Sequence, residues 1–497
     1  MQIDEAVDIF YDLTTAAIRD CVPFYRPNCR FPVWYDRELI TALREKERAF
    51  RCKKRDNSQS NIDLFRDKRS SFKNMSKQKF KDYINDVAEN ILINDKRFWS
   101  LVRARSRSHS LSPVITYGDL TAFEPEGKAE LFNSYFNSVF IQSNYAFNPS
   151  TLHVPQFSDC VMSKLEINTE QIYKHLSKLD IKKSQGCDDL GNHVLCKCAH
   201  GFTIPAFKIF INSLAQCSFP NFWKFANIIP VHKSGSRELV ANYRPVSLLP
   251  TLAKVFERLV CDSIYSHVSP LIAREQHGFI RHRSCTTNLA ILLKNAYAAI
   301  DNKLQLDVIY TDYSKAFDKV DHALLIHKLH YFGINSSILA WLRSYLSNRK
   351  QHVILNDVTS SWSSVTSGVP QGSILGPLMF ILYINDMPLS IPDQTLLFAD
   401  DSKLFRQIKG VDDCHLLQCS LDKLVEWSSM WRLELNSKKC KILTITLKKK
   451  PIKFDYHVGS CKLDQVSYIK DLGVIIDSKL TFIHHIDSIV GKANRVV

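Results

Sequence analysis

Two kinds of hydrophobic pattern follow one another along the chain. From residue 1 to about residue 110, apolar side chains recur at helical intervals among many lysines and arginines, as in ELITALREKERAFRCKKRD and IDLFRDKRSSFKNMSKQKFKDYINDVAENI. RARSRSHSLSP at 103–113 is typical of a flexible basic linker. From about residue 160, helical and strand patterns alternate. We therefore expect long basic helices, a boundary between the linker and about residue 150, and then an α/β region.

Single elements of the second region have clear signatures. SSILAWLRSYLSNRK predicts a helix that is capped by Ser336 or Ser337. Its apolar positions share one helical face and comprise Ile338, Trp341, Leu342, Tyr345 and Leu346. LDVIYTD (306–312) and QHVILN (351–356) are β-branched runs of strand length. We find no internal repeats.

An acidic residue stands at the end of one predicted strand. In VIYTDYSKAFDKVDH, a β-branched run delivers Asp312 to its C-terminal end. The next helix is predicted to begin near Asp318 or Asp321 and to close near Gly333.

The stretch TLLFADDSKLF (395–405) places two further acids between two apolar runs. It is typical of a tight hairpin with Asp400 and Asp401 at its tip. Neighbouring strands lie about 4.8 Å apart, so these carboxylates converge with Asp312 if the strands share one sheet. Clustered carboxylates suit Mg²⁺, and two such ions stabilise the attacking and leaving oxygens of a phosphoryl transfer. The alternative is a solvated, acidic hairpin tip.

SGVPQGSILGPLMFILYINDMP (367–388) lies between the two acidic strands in sequence and predicts a Gly/Pro-rich turn followed by an apolar helix. Gly368, Gly372 and Gly376 allow the backbone to approach a ligand closely, and Gln371 offers a donor and an acceptor. The alternative is an ordinary buried turn.

Composition and charge narrow the class of partner. With 497 residues, of which 45% are hydrophobic, the chain is long enough for two or more globular modules. Its 65 Lys and Arg against 50 Asp and Glu give a net charge of +15, which favours nucleic acid first and an acidic membrane second. The run that holds Arg51, Lys53, Lys54 and Arg55 is either a phosphate-binding surface or a solvated helical face.

Targeting and metal signals change this picture little. MQIDEAVDIFYDL has neither the basic start nor the apolar core of a signal peptide, and ILGPLMFILYI (374–384) is too short to span a bilayer. We expect an intracellular chain without a transmembrane segment, whose 14 cysteines are reduced thiols. The spacing of the potential zinc ligands Cys187, His193, Cys196, Cys198 and His200 matches no common finger, which favours a helix start with buried thiols.

A family resemblance emerges from the order of these motifs. YTDYSKAFDKVDH, SGVPQGSILGPLMF and FADD resemble the palm of reverse transcriptases of non-LTR retrotransposons, of the jockey-like kind. Further stretches agree with that family: WKFANIIPVHKSG (223–235), ANYRPVSLLPTLAKVFERL (241–259), EQHGFIRHRSCTTNL (275–289), WRLELNSKKCKIL (431–443) and KDLGVIIDSKLTF (470–482). The chain departs from the pattern at Asp189, where a glycine is expected, and around Ile280.

The resemblance implies an α/β (α+β) right-hand polymerase with fingers, a ferredoxin-like palm and a partial thumb, preceded by a basic helical region. The expected parts are a basic helical connector at 1–150, a helical lead-in at 151–215, fingers and palm at 216–477, and the start of a thumb at 478–497. Such elements also carry an upstream endonuclease and a complete thumb, so we expect this chain to be a fragment or a truncated copy.

The resemblance also implies a role for each site residue. Asp312, Asp400 and Asp401 would bind two Mg²⁺ ions, with Mn²⁺ as an alternative, and the carbonyl of Tyr313 would add a ligand. Lys439, with Lys438 as the alternative, would protonate the leaving pyrophosphate. Lys233 and Arg244 would hold the triphosphate, Gln371 and Gly372 would line the nucleotide, and Phe317 would exclude a 2′-hydroxyl. Leu472 and Gly473 would grip the primer.

The expected partners are an RNA template, a DNA primer or target and deoxynucleotides, with a nuclear site of action and no membrane or obligate protein partner. A viral-type RNA polymerase is disfavoured by Phe317 and by Ala399, where such enzymes usually have glycine. A non-catalytic nucleic-acid-binding remnant is disfavoured by the intact carboxylate set.

Overall fold

The computed structural model describes residues 1–22, 31–90, 96, 98–101, 111–141, 154–162, 164–356 and 358–494. The chain forms two compact units. One unit comprises Met1–Thr14 and the chain from Ser112 onward, and the other comprises Thr15–Leu111. The four-part division expected from the sequence stays a prediction, and most of the proposed linker, 103–110, lies outside the described residues.

The helices and strands follow in chain order. The helices are α1 Ile3–Cys21, α2 Arg37–Arg55, α3 Gln59–Glu89, α4 Pro125–Ser138, α5 Thr169–Ser177, α6 Asn192–Lys197, α7 Ala199–Ala215, α8 Thr251–Val268, α9 Cys285–Asp301, α10 His322–Tyr331, α11 Ser336–Leu346, α12 Leu375–Tyr383, α13 Met387–Ser390, α14 Val411–Met430 and α15 Ile483–Asn494. The strands are β1 Ile115–Tyr117, β2 Leu120–Ala122, β3 Phe225–His232, β4 Tyr243–Leu248, β5 Gln305–Thr311, β6 Arg349–Leu355, β7 Val358–Thr359, β8 Ser363–Val365, β9 Gln394–Phe398, β10 Asp401–Ile408, β11 Lys441–Ile445, β12 His457–Val458, β13 Cys461–Lys462, β14 Asp464–Val466, β15 Tyr468–Asp471 and β16 Val474–Asp477.

A five-stranded sheet in the order β14-β11-β5-β10-β9 carries both acidic strand ends. Its central strand β5 is antiparallel to β10 and to β11, and β11 is parallel to β14. Val308 and Phe405 belong to a buried cluster with residues of α9, whereas their neighbours Ile309 and Leu404 are also fully buried. Because successive side chains of a strand point to opposite faces, both faces of this sheet are covered.

A second sheet has the order β4-β3-β6-β7, and β8 also pairs with β6. β3 is antiparallel to β4 and parallel to β6. Together with the α/β alternation, these two sheets confirm the mixed fold of helices and strands. The reverse-turn glycines predicted between the acidic strands are present, with φ values of +81° at Gly368 and +130° at Gly372.

Most predicted elements are present, with one correction at a helix cap and one choice between two predicted helix starts. The helix predicted in SSILAWLRSYLSNRK is α11, but its cap is Asn335, whose side chain accepts a hydrogen bond from the amide of Ile338. Asn335 precedes both predicted serines in the chain, and its amide oxygen satisfies a free amide of the first turn. The helix after the first acidic strand begins at His322 with Asp321 as its cap, and not near Asp318.

The first turns of α1 pack within the same compact unit as the two sheets. The carboxylate of Asp4 accepts hydrogen bonds from the backbone and side-chain amides of Asn221, both at 2.7 Å. The hydroxyl of Tyr11 donates to Asp188 at 2.8 Å and accepts from the indole of Trp223 at 3.1 Å. These contacts make residues 1–14 part of that unit despite the long intervening segment.

The other compact unit is built on an antiparallel pair of helices, α2 and α3. Lys79 on α3 pairs with Asp36 at 2.7 Å and with Glu38 at 2.9 Å, whereas Lys68 pairs with Glu45 at 3.0 Å. The partner near the start of α2 thus lies late in α3, and the partner further along α2 lies earlier in α3, as expected for antiparallel helices. The long basic helices predicted from the sequence are therefore confirmed. No helix of the described residues is long and apolar enough to cross a membrane.

Candidate active site

The two acidic strand ends meet at one end of the first sheet. Ser402 of β10 pairs with Thr311 of β5 in antiparallel register. Asp312 directly follows β5 and Asp401 directly precedes Ser402, so the two aspartates stand opposite each other on adjacent strands. The convergence that we inferred from the sequence therefore rests on this register.

The hairpin tip differs slightly from the prediction. Asp401 is the first residue of β10 and pairs with Phe398, so the turn itself consists of Ala399 and Asp400. Asp400 alone lies at the tip, and Asp401 lies on the strand beside Asp312.

Close negative charges and desolvation perturb these carboxyl groups. Burial raises the pKa of Asp400, and the charge of Asp312 raises it further. Asp401 is open to solvent in the cleft, but the surrounding protein still desolvates its carboxyl group. This desolvation and the charges of Asp400 and Asp312 raise the pKa of Asp401 to about 6. Burial and mutual repulsion therefore both disfavour the charged forms of Asp400 and Asp401.

Lys439 forms an ion pair with one of these carboxylates. Its Nζ lies 3.1 Å from Oδ2 of Asp312, and the amide of Asn436 donates to the carbonyl of Asp312 at 2.8 Å. The segment before β11 thus brings Lys439 to Asp312, and the proton-transfer role of Lys439 stays a prediction.

The carboxylates fit a divalent cation by their chemistry, since Mg²⁺ prefers hard oxygen ligands. Within the described ranges, however, no three or more His, Cys, Asp or Glu side chains are arranged to hold a metal ion. Asp312 is engaged with Lys439, and the potential zinc ligands between Cys187 and His200 form no such group either.

Two further cations lie on the β3–β4 hairpin. Arg244 pairs with Val231 in the antiparallel register, and the amide of Lys233 donates to the carbonyl of Asn242 at 2.8 Å. Burial and the charge of Arg244 lower the pKa of Lys233, whereas Asp312 and Asp400 act in the opposite direction. The hairpin cations and the carboxylates are therefore within electrostatic reach of one another.

A cavity of about 130 Å³ joins the carboxylates to the β15–β16 hairpin. Its lining includes Asp312, Asp401, Lys439 and Leu472. Leu472 and Gly473 form the two-residue turn of that hairpin, with φ values of +44° and +96°. Asp471 beside this turn forms a buried ion pair with Lys403 of β10, so the hairpin is fixed to the acidic strand.

A comparison with known protein families matches the part of the chain that carries these residues. Residues 231–476 match the family described as reverse transcriptase (RNA-dependent DNA polymerase). These residues form a reverse transcriptase domain. The domain contains all three aspartates, Lys439 and the two hairpin cations.

Relatives in Drosophila melanogaster place the domain among those of non-LTR retrotransposons. The chain is 29% identical over 387 residues to the RNA-directed DNA polymerase from mobile element jockey, covering 73% of this chain and 41% of the relative. It is also 29% identical to the probable RNA-directed DNA polymerases from transposon BS, over 75% of this chain and 43% of the relative, and from transposon X-element, over 79% and 44%. The chain thus spans less than half the length of these relatives.

In the reverse transcriptase domain, the side chain of Gln371 is hydrogen-bonded to the buried acid Asp318. The side-chain Nε2 of Gln371 donates to Oδ1 of Asp318 at 2.8 Å. The backbone carbonyl of Gln371 accepts from the backbone amide of Ser247 at 2.7 Å. A Cβ on Gly372 would lie 2.4 Å from the carbonyl oxygen of Ser247, so only glycine fits there. Burial raises the pKa of Asp318 to about 6. The contact of Asp318 with Gln371 was not predicted from the sequence, where Asp318 was considered only as a helix start. The available signal was its place directly after Phe317 in the motif.

Two aromatic residues after Asp312 take different positions in the domain. Phe317 is half-buried, stacks on Phe380 of α12 with ring centroids 4.2 Å apart, and meets Phe279 edge-on at 6.4 Å. Tyr313 is buried, and its hydroxyl points to the sulfur of Met387 at 3.8 Å. Phe317 is therefore partly accessible to solvent, whereas the ring of Tyr313 belongs to the core.

The basic run of the N-terminal region lies in the other compact unit. Arg51, Lys53, Lys54 and Arg55 occupy the C-terminal end of α2. The ammonium of Lys53 lies over the ring of Phe65 at 5.4 Å. The departure at Asp189 also has a local explanation, because this residue has a φ of +51°, which aspartate tolerates better than most residues.

Proposed function

We propose that this chain is an RNA-directed DNA polymerase of a non-LTR retrotransposon, which extends a DNA primer with deoxynucleotides along an RNA template in the nucleus. The observation that carries the proposal is the register that sets Asp312 beside Asp401, with Asp400 on the adjoining turn. In this assignment the sheet around β5 is the palm, the β3–β4 hairpin belongs to the fingers, and the thumb starts after β16.

Asp312, Asp400 and Asp401 are the residues that would hold divalent cations, Mg²⁺ in the first place and Mn²⁺ as an alternative. Such ions, when bound, increase the acidity of a primer hydroxyl and neutralise charge on the phosphates. The carbonyl of Tyr313 would add an oxygen ligand. Burial and the neighbouring carboxylate charges, which raise the pKa of Asp400 and of Asp401, support this assignment, because a bound cation would stabilise both charged carboxylates.

Three cations serve the triphosphate. Lys233 and Arg244 bind its oxygens from the β3–β4 hairpin, where Arg244 offers a bidentate contact. Lys439 holds a proton at Nζ and donates it to the leaving pyrophosphate. Its position beside Asp312 supports this role, since the phosphates must lie next to the same carboxylate.

Sugar and base are selected on the other side of the cleft. The partly accessible ring of Phe317 packs under the deoxyribose and leaves no room for a 2′-hydroxyl. Gln371 and Gly372 line the nucleotide and the template. The stack of Phe317 on Phe380 supports the first role, because it prevents the ring from moving aside.

Each compact unit also carries nucleic-acid contacts that lie outside the carboxylate site. The turn at Leu472 and Gly473 grips the primer, and the cavity that it shares with Asp312 and Asp401 supports this role. Arg51, Lys53, Lys54 and Arg55 bind RNA phosphates, in keeping with their position on a basic helix.

Substitution of one carboxylate tests the function. Asp400→Asn removes a charge with little change of shape, so incorporation of a single deoxynucleotide into a primer should collapse while thermal stability is kept or improved. The matched control is Asp412→Asn, an exposed acid in the first turn of α14, which should keep wild-type incorporation. Incorporation by Asp400→Asn within a few-fold of wild type would remove this carboxylate from the mechanism.

A further inference from the structure

A short segment from Glu275 to Gly278 lies alongside the end of β9. The amide of Leu397 donates to the carbonyl of Glu275 at 2.9 Å, and the amide of His277 donates to the carbonyl of Leu397 at 2.8 Å. Gln276 thereby forms a parallel bridge with Leu397. The segment reaches the turn that carries Asp400 without belonging to the hairpin itself.

That turn contains a residue in an unfavourable conformation. Ala399 has a φ of +56°. A left-handed backbone is unfavourable for a residue with a Cβ, and such a conformation persists only where the surroundings hold it. Asp400 follows directly, so the conformation of Ala399 sets the direction in which the Asp400 carboxylate points.

The side chain of Gln276 supplies the contact that holds this turn. It is only 1% exposed, and its Oε1 accepts hydrogen bonds from the amide of Ala399 at 2.9 Å and from the amide of Gly278 at 2.7 Å. Two converging N–H donors require an oxygen at this position, which fixes the orientation of the amide.

Two further features indicate that Gln276 is kept for position. Its Nε2 is buried and has no hydrogen-bond partner among the described residues, an arrangement that lowers stability. A Cβ on Gly278 would lie 2.4 Å from the amide nitrogen of Ala399, so the backbone also packs tightly against the turn. An apolar side chain would avoid the unpaired donor but would leave the Ala399 amide without its acceptor.

We propose that Gln276 is a positioning residue, which holds the Ala399–Asp400 turn so that the Asp400 carboxylate can bind a divalent cation. This inference rests on the proposed function. It adds a residue more than 120 positions away from the acid that it orients.

The test measures cation binding directly. Mn²⁺ binding to the whole chain is followed by electron paramagnetic resonance, with the primer–template Kd and kcat of incorporation measured beside it. Gln276→Met keeps the volume but removes the acceptor. It should weaken Mn²⁺ binding about 10- to 100-fold, the usual effect of losing an outer-shell partner, and should lower kcat while the primer–template Kd stays constant.

The matched control is Gln305→Met, at the far end of β5, where the glutamine is fully buried and bonded to Asp307 and Ile452. It should lower Tm and leave Mn²⁺ affinity unchanged.

A second substitution keeps the test decisive if Gln276→Met is less stable. Glycine adopts a positive φ without the Cβ penalty, so Ala399→Gly in the Gln276→Met background should recover part of the lost Mn²⁺ affinity. Wild-type Mn²⁺ affinity in a folded Gln276→Met chain, or an equal loss in Gln305→Met, would overturn the inference. A wild-type chain that binds Mn²⁺ but extends no primer would overturn the proposed function alone, because the comparison of Mn²⁺ affinities would still decide the role of Gln276.

Discussion

The ammonium of Lys439 lies 3.1 Å from a carboxylate oxygen of Asp312. The two side chains are 57% and 33% exposed, so solvent screens the pair and the ion pair itself adds little to stability. In the proposed mechanism, Lys439 exchanges this weak contact for one with the leaving pyrophosphate.

Removal of this ammonium should slow the chemical step. Lys439→Met is expected to lower kcat by about 10²-fold or more, the usual range for a general acid, with a smaller effect on the primer–template Kd. Single-turnover incorporation measures this difference. Lys438→Met is the matched control, since Lys438 is its exposed neighbour. A loss in the control and none in Lys439→Met would transfer the role to Lys438.

Replacement of Phe317 should change the choice of sugar. Phe317→Val opens space beside the stacked ring of Phe380 and should raise incorporation of ribonucleotides relative to deoxynucleotides. A change of about 1.4 kcal/mol in relative transition-state stabilisation corresponds to tenfold in discrimination. The measurement is kcat/KM for matched nucleotides on one primer and template. Equal discrimination by an active variant would make Phe317 a packing residue.

Neutralisation of the basic cluster on α2 should weaken RNA binding. Changing Arg51, Lys53, Lys54 and Arg55 to Gln should lower the slope of log affinity against log salt, because each phosphate contact releases roughly 0.7 to 0.9 of a counterion. The control removes the same amount of charge from the compact unit that contains the two five-stranded sheets, by changing Lys448, Lys449, Lys450 and Lys453 to Gln. An unchanged slope in the first variant would favour a solvated helical face.

The buried acid behind Gln371 should affect stability through pH. Because burial raises the folded-state pKa of Asp318 to about 6, the unfolded chain loses this proton first between pH 4 and 6. As the pH rises from 4 to 6, the free energy of unfolding should therefore fall by up to about 3 kcal/mol. Above pH 6 this contribution should stay constant.

Asp318→Asn isolates this effect, since its amide oxygen still accepts from Gln371. Urea unfolding of both chains from pH 3.5 to 7.5 gives the difference between them. Wild-type stability should decline relative to the variant between pH 4 and 6, whereas parallel profiles would mean that Asp318 titrates normally.

Local patterns were sufficient to predict the parts of the site that are close in sequence. The β-branched run before Asp312 and the two apolar runs around Asp400 predicted the strands, and one antiparallel register brings them together. The helix caps were less certain, because serine, asparagine and aspartate all satisfy the free amides of a first turn. Local chemistry alone therefore could not choose between Asn335 and the next serine.

Contacts between distant segments could not be predicted in this way. Gln276 is an ordinary polar residue in its own segment, and only the fold sets its side chain against Ala399. Similarly, nothing in the pattern of α1 indicates that Tyr11 bonds Asp188. Asp318 was visible as an acid beside Phe317, but its partner Gln371 is supplied by the turn between the two acidic strands.

The most direct test of the account is synthesis of DNA on an RNA template. The purified chain is given a DNA primer annealed to RNA, Mg²⁺ and labelled deoxynucleotides, and the product is sequenced. The account predicts a DNA product complementary to the template, made by the wild-type chain and not by Asp400→Asn. A folded chain that binds the primer and template but leaves the primer unextended, with Mg²⁺ or with Mn²⁺, would contradict it and would identify a nucleic-acid-binding remnant.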